Sequence, residues 1–142
     1  MSKETFNDIE RMAMRERAEE LRNQAKNKKD PKAGLADLFE KIGEMTDEEA
    51  VIALKINDIV AEVAPNLKPK TWYSMPAYAD ENDQIVVFFK SGSKYDSRMN
   101  TLGFNDAANL DKGNFWPTSY AIQAIDDDVE KEVRKLIKRA VN

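Results

Sequence analysis

The chain of 142 residues contains neither histidine nor cysteine, and this narrows the chemistry open to it. Ser-His-Asp hydrolysis, HExxH metal sites and the imidazole proton shuttle all need histidine. Thiolate nucleophiles, zinc knuckles, disulfide frameworks and cysteine-held iron–sulfur clusters need cysteine. A metal held here would be held by oxygen, the ligand type that hard cations accept. Asp47, Asp58 and Glu62 are the carboxylates best spaced for that role. They fall on one outward flank of a predicted helix, with Asp58 and Glu62 four residues apart and so able to approach one ion. Val51 and Lys55 interrupt the flank, and the lysine offsets part of the carboxylate field. The same pattern fits acids that are simply solvated on an exposed helix face. Asp80, Glu81 and Asp83 form a second acidic group, without the spacing and glycine of a calcium loop. Asp126, Asp127 and Asp128 read as helix-capping residues.

A different chemistry is suggested by "TWYSMPAY", Thr71 to Tyr78, and "NFWPTSY", Asn114 to Tyr120. Both tryptophans of the chain lie here, each near a proline. Proline cannot donate to a sheet ladder, so Pro76 and Pro117 are expected at an edge, a strand start or a bulge. Alternation along the first stretch sets Trp72 and Ser74 against Tyr73 and Met75; along the second it places Trp116, Thr118, Tyr120 and Ile122 on one side. If the two bends adjoin, Trp72, Tyr78, Phe89 and Trp116 line an aromatic rim, with Met75 and Lys94 beside it. Lys90, Lys94 and Arg98 flank the "SGSK" loop, Ser91 to Lys94, so the expected ligand has an apolar body and an anionic group. The loop lacks the P-loop pattern and reads as a turn. Aromatics that merely fill a core would leave the same signature. Tyr95 and Asp96 are possible acid–base groups, but their spacing specifies no reaction, and the expectation is a non-catalytic domain.

The elements that position these residues are legible from periodicity. Charged helix formers run from Asn7 to about Lys28 with a thin apolar stripe of Ile9, Met12, Ala13, Leu21 and Ala25. "KNKKDPKAG" reads as a linker, followed by a helix from about Leu35 to Met45 with Leu35, Leu38, Phe39 and Ile42 on one face. Thr46 with Glu49 three residues on is a capping box. It opens a helix carrying Ile52, Ile56, Ile59, Val60 and Val63 on one stripe and stopped by Pro65. Four strands are predicted, at Thr71–Tyr78, Ile85–Lys90, about Arg98–Phe104 and about Thr118–Ile125. "DEND", Asp80 to Asp83, joins the first two as a hairpin, and "IVVFF" suits a central covered strand. Asn105–Lys112 reads as a short helical turn. A last helix opens at Asp127 with Glu130 at its third position, its apolar face formed by Val129, Val133, Leu136, Ile137 and Ala140.

Helices, a meander of four antiparallel strands and a closing helix packed on one face make the class α+β. Residues 1–45 are expected as a helical extension and linker, and 46–142 as the α+β domain. Residues 1–30 carry eight basic and seven acidic side chains against fourteen and nineteen in the rest, so the extension is near neutral and the body acidic. The charged N-terminal helix, whose thin apolar stripe would gain area only against a partner, is a candidate docking element. The net charge of −4 disfavours nucleic acid, which needs a basic field. No apolar run approaches the roughly 20 residues of a membrane span, and no secretory signal pattern is present. The expectation is a cytoplasmic protein that binds neither membrane nor nucleic acid.

"TWYSMPAY", "IVVFF", "TLGF", "NLDKG" and "FWPTSYAI", in that order and followed by an amphipathic helix, closely resemble the YdhG-like domain of unknown function. The resemblance covers about Thr46 to Val141 and leaves residues 1–45 as an extension. It implies a small bacterial α+β fold of frataxin-like shape. Some members of the family are described as intracellular iron chaperones, so the resemblance implies iron as cargo and iron–sulfur cluster or haem assembly proteins as partners. Frataxin-type proteins hold iron through carboxylates on the helix before the sheet, which carries the role to Asp47, Asp58 and Glu62. The alternative reading is a small-molecule or peptide-binding module using the aromatic rim.

Overall fold

The computed structural model describes residues 7–142, and the first six residues of the expected extension lie outside it. The described elements are α1 (Asp8–Gln24), α2 (Pro31–Gly43), α3 (Asp47–Val63), β1 (Lys68–Trp72), β2 (Met75–Ala79), β3 (Ile85–Lys90), β4 (Thr101–Phe104), β5 (Ser119–Ala121) and α4 (Asp127–Ala140). The class is α+β. Its sheet has five strands instead of the expected four, in a simple antiparallel meander β1-β2-β3-β4-β5. Among the described residues no helix is long and apolar enough to cross a membrane.

The additional strand comes from "TWYSMPAY", which is a hairpin and not one strand. Trp72 pairs with Met75, and Tyr73 and Ser74 between them take positive φ, 49° and 65°. Two consecutive residues in this region make the two-residue turn whose twist matches its flanking strands. The turn lacks the Asn-Gly signature, so the apolar run read as continuous. The expected alternation of Trp72 with Ser74 is corrected accordingly: Trp72 stands opposite Met75. Pro76 becomes the second residue of β2, opposite Thr71. Since the pair next to the turn is hydrogen-bonded, the Pro76 nitrogen points to the β3 side. There the ladder begins only at Ala77↔Phe88, so the proline ends one ladder without disturbing the hairpin. Pro117 lies outside the strands, two residues before β5.

Helices cover one face of the sheet. Leu38 and Ile42 of α2, Ile52, Ile56 and Ile59 of α3 and Val133 and Ile137 of α4 share a core with Tyr78, Val87, Phe89 and Leu102. The other face carries a smaller cluster built from the sheet alone: Ala77, Ala79 and Ile85 are buried beneath Trp72 and Phe88. Two devices build it. The β2–β3 register passes from Tyr78↔Val87 to Ala79↔Ile85 and skips Val86. This bulge leaves Val86 and Val87 in the helix-side core and turns Ile85 to the open face. Opposite Phe88 is Gly103, where a Cβ would stand 2.2 Å from the ring, so glycine lets the ring lie against β4.

Local signals place the helices. The Thr46–Glu49 capping box is present in full at the start of α3. α4 is capped one residue earlier than expected, by Asp126, whose side chain accepts from the Val129 N–H. The expected linker "KNKKDPKAG" is corrected at its second half: Asp30 caps α2 and Pro31 is its first residue, a position where a missing N–H costs nothing. Gly34 lies inside α2, and a Cβ there would meet the Pro69 carbonyl at 2.2 Å, so glycine sets how closely α2 approaches β1. α1 docks on α2 through Ala18, Leu21 and Ala36. Arg22 binds Asp37 at 2.7 Å and Glu40 at 3.0 Å, and Arg11 donates to the Gly43 and Met45 carbonyls at the end of α2. Ile9 and Met12, expected on the packed stripe, are 79% and 61% exposed. The expected helical turn at Asn105–Lys112 is an irregular loop with a reverse turn, Ala108 N–H to Asn105 O, and a tighter one, Leu110 N–H to Ala108 O. The Asn109 N–H donates to the Ala140 carbonyl and ties this loop to α4.

Candidate functional site

The two tryptophans meet at one groove. A cavity of about 790 Å³ is lined by Trp72 and Ile85 from the open-face cluster and by Phe104, Trp116 and Thr118. The loop after β4 forms its wall with Asn105, Asp106, Ala108 and Asp111. The Trp72 ring is held from two sides, edge-on by Tyr73 at 4.9 Å between centroids and tilted against Phe88 at 5.2 Å. Tyr73 can reach it because the tight turn places both rings at the hairpin tip. The Tyr73 carbonyl in turn accepts a hydrogen bond from the Tyr95 hydroxyl, 2.7 Å. Trp116 is partly buried against the main core, whereas its neighbour Phe115 is 94% exposed.

The charge of this groove is opposite to that expected. Lys94 lines a separate cleft, and Lys90 and Lys94 stand over the Tyr95 ring at 5.4 and 5.9 Å. The groove itself is lined by Asp83, Asp106 and Asp111. Asp83 is paired with Lys70 at 3.0 Å; Asp106 and Asp111 form no salt bridge with a described residue. Aromatic faces and carboxylates together suit a cation, because the negative ring face and the carboxylate charge attract the same partner. The cavity lining is thus acidic, whereas the expected rim was flanked by lysines.

The predicted ligand residues divide among three places. Trp72 and Trp116 share the groove. Met75, Phe89 and Lys94 line the second cleft, of about 300 Å³, with Glu49, Ser91 and Tyr95. Tyr78 lines neither: it is buried in the helix-side core, where its hydroxyl donates to Asn57 Oδ1 at 2.9 Å. Burial, with a smaller contribution from the charge of Asp58, lifts its phenol well above the usual tyrosine range. The residues missed from sequence are the groove's Asp106 and Asp111, which sit in a loop with no periodicity to mark them.

Glu49 organises the second cleft. It is 5% exposed and accepts from the Ser93 N–H and hydroxyl at 3.0 and 2.9 Å and from the Thr46 N–H at 3.2 Å. Burial alone would raise its pKa, but the hydrogen bonds from Ser93 and Thr46 outweigh it and hold the carboxyl below its ordinary value. One glutamate thus caps α3 and anchors the "SGSK" loop, which is a structural use of that loop.

The proposed metal carboxylates do not converge. Asp47 and Asp58 are eleven residues apart on one helix, about 16 Å at 1.5 Å per residue. Asp47 is paired with Arg11 at 2.8 Å and Glu62 with Arg134 at 2.8 Å. Asp58 is raised in pKa by burial and then by the Glu62 charge, with Lys55 acting against them. Among the described residues no group of three or more acidic side chains is arranged to hold a metal ion. No protein-family model matches this chain, and no curated protein or solved structure matches it either.

Proposed function

We propose that this protein is a non-catalytic binding module whose site is the Trp72–Trp116 groove and whose ligand is a cation with an aromatic or apolar body. The observation that carries the reading is that both tryptophans of the chain line one cavity together with Asp106 and Asp111, two carboxylates that form no salt bridge with a described residue. The volume, about 790 Å³, lies within the range of small-molecule sites. This reading develops the aromatic-rim alternative and reverses the charge of its ligand. The iron-chaperone reading implied by the YdhG-like resemblance draws less support, since two of its three carboxylates are engaged by arginines.

Side-chain NMR of the two indole N–H groups tests the proposal. Benzyltrimethylammonium is expected to shift both indole signals saturably, while benzoate leaves them in place. Shifts of equal size with both probes, or none with either, would reject a cation-selective groove.

A further inference from the structure

The two edges of the sheet are finished differently. At β1, pairing from the hairpin turn makes Pro69 and Thr71 the outward-facing residues. Pro69 has no N–H, and its carbonyl lies against Gly34 of α2. That edge is blunted by a proline and covered by a helix. At β5 the Phe104 N–H bonds the Thr118 carbonyl and the Ile122 N–H bonds the Asn100 carbonyl. The alternation sends the N–H and C=O groups of Ser119 and Ala121 outward, and among the described residues β5 pairs with β4 alone. Directly beside this edge a groove of about 270 Å³ runs between β5 and α4, lined by Tyr120, Ile122, Val129, Val133 and Leu136. The charged residues lining it are Asp128 and Glu132, both acidic.

We propose that the β5 edge and the β5–α4 groove form a docking site for an extended basic peptide, bound as an added strand. Each feature specifies one property of the occupant. The unpaired main-chain groups require an extended backbone. The apolar groove accepts the alternate side chains that point to the helix side. Asp128 and Glu132 favour lysine or arginine at the rim. A second copy of this chain fits poorly, since two-fold pairing through β5 would bring the same acids together.

The probe is a fluorescein-labelled octapeptide with threonine at every second position and valine and lysine alternating at the positions between, so that valine and lysine share the helix-facing side; binding is followed by anisotropy and by amide hydrogen exchange of the full chain. Saturable binding with slowed exchange at Ser119 and Ala121 is expected. Ala121→Pro removes one outward donor and leaves the β4 ladder intact, so it should weaken binding about fivefold. Glu132→Lys should weaken it without loss of fold, and Trp116→Ala should leave it unchanged, which separates this site from the tryptophan groove. Equal binding of the same octapeptide with asparagine in place of valine would show non-specific charge attraction and overturn the proposal, as would no binding, or loss of binding in Trp116→Ala. Sedimentation showing a dimer that Ala121→Pro dissolves would overturn it in favour of a second copy.

Discussion

The two faces of the sheet use apolar residues for different ends. On the helix side, Phe89, Tyr78 and Leu102 are at most 1% exposed and packed among isoleucines from α3. On the open side Trp72 and Phe88 shield only Ala77, Ala79 and Ile85, and Trp72 keeps part of its surface facing a groove. The first arrangement holds the fold together. The second leaves ring surface and carboxylates together where a ligand can reach them, and the difference lies in what covers the rings and not in composition.

The largest expected effect breaks the comparison from the packed side. Phe89→Ala should cost about 3–5 kcal/mol in chemical denaturation, while Phe115→Ala, at the exposed end of the groove loop, should stay within about 0.5 kcal/mol. Equal losses would mean that the open side is as structural as the core. Next comes Glu49→Gln, which weakens the bonds anchoring Ser93 and should cost about 1–3 kcal/mol at neutral pH. The folded carboxyl is held below its ordinary value of 4.5, so the folded state favours the charged form. The stabilisation is full above that value and fades as pH falls through the folded one. Urea denaturation of both proteins from neutral to acid pH should therefore show the gap narrowing below about 4.5; a constant gap would refute the assignment. The smallest effect sharpens the open side: Ser74→Gly relieves a left-handed residue at the hairpin tip and should raise stability by about 0.5–1 kcal/mol. A loss instead would mean that the Ser74 side chain, which lines the second cleft, contributes a contact there.

Periodicity was a good guide wherever one face of an element is buried. The α3 stripe from Ile52 to Val60 and the α4 face follow from it, and the polar "DEND" turn marks the hairpin between β2 and β3. It failed where backbone geometry was set by residues of the wrong type. Tyr73 and Ser74 turn the chain without glycine or asparagine, and this hid a strand. Asp30 and Pro31 resembled a break but start a helix. The candidate groove was half legible: Trp72 and Trp116 line one cavity, and aromatic residues near prolines are conspicuous in a sequence. The expected lysine belonged to another cleft, and Asp106 and Asp111 sit in an irregular loop whose path depends on tertiary contacts such as Asn109 with Ala140.

Tryptophan fluorescence gives the most direct measurement, because both of the chain's tryptophans line the proposed groove. The wild-type protein and an Asp106→Asn, Asp111→Asn variant would be titrated with phenylethylammonium at low and at raised ionic strength. Saturable quenching by the amine in the wild type, weakened at least several-fold by the double substitution and reduced by salt, is the predicted result. Quenching that is absent, or that survives the loss of both carboxylates unchanged, would contradict a cation site between the tryptophans.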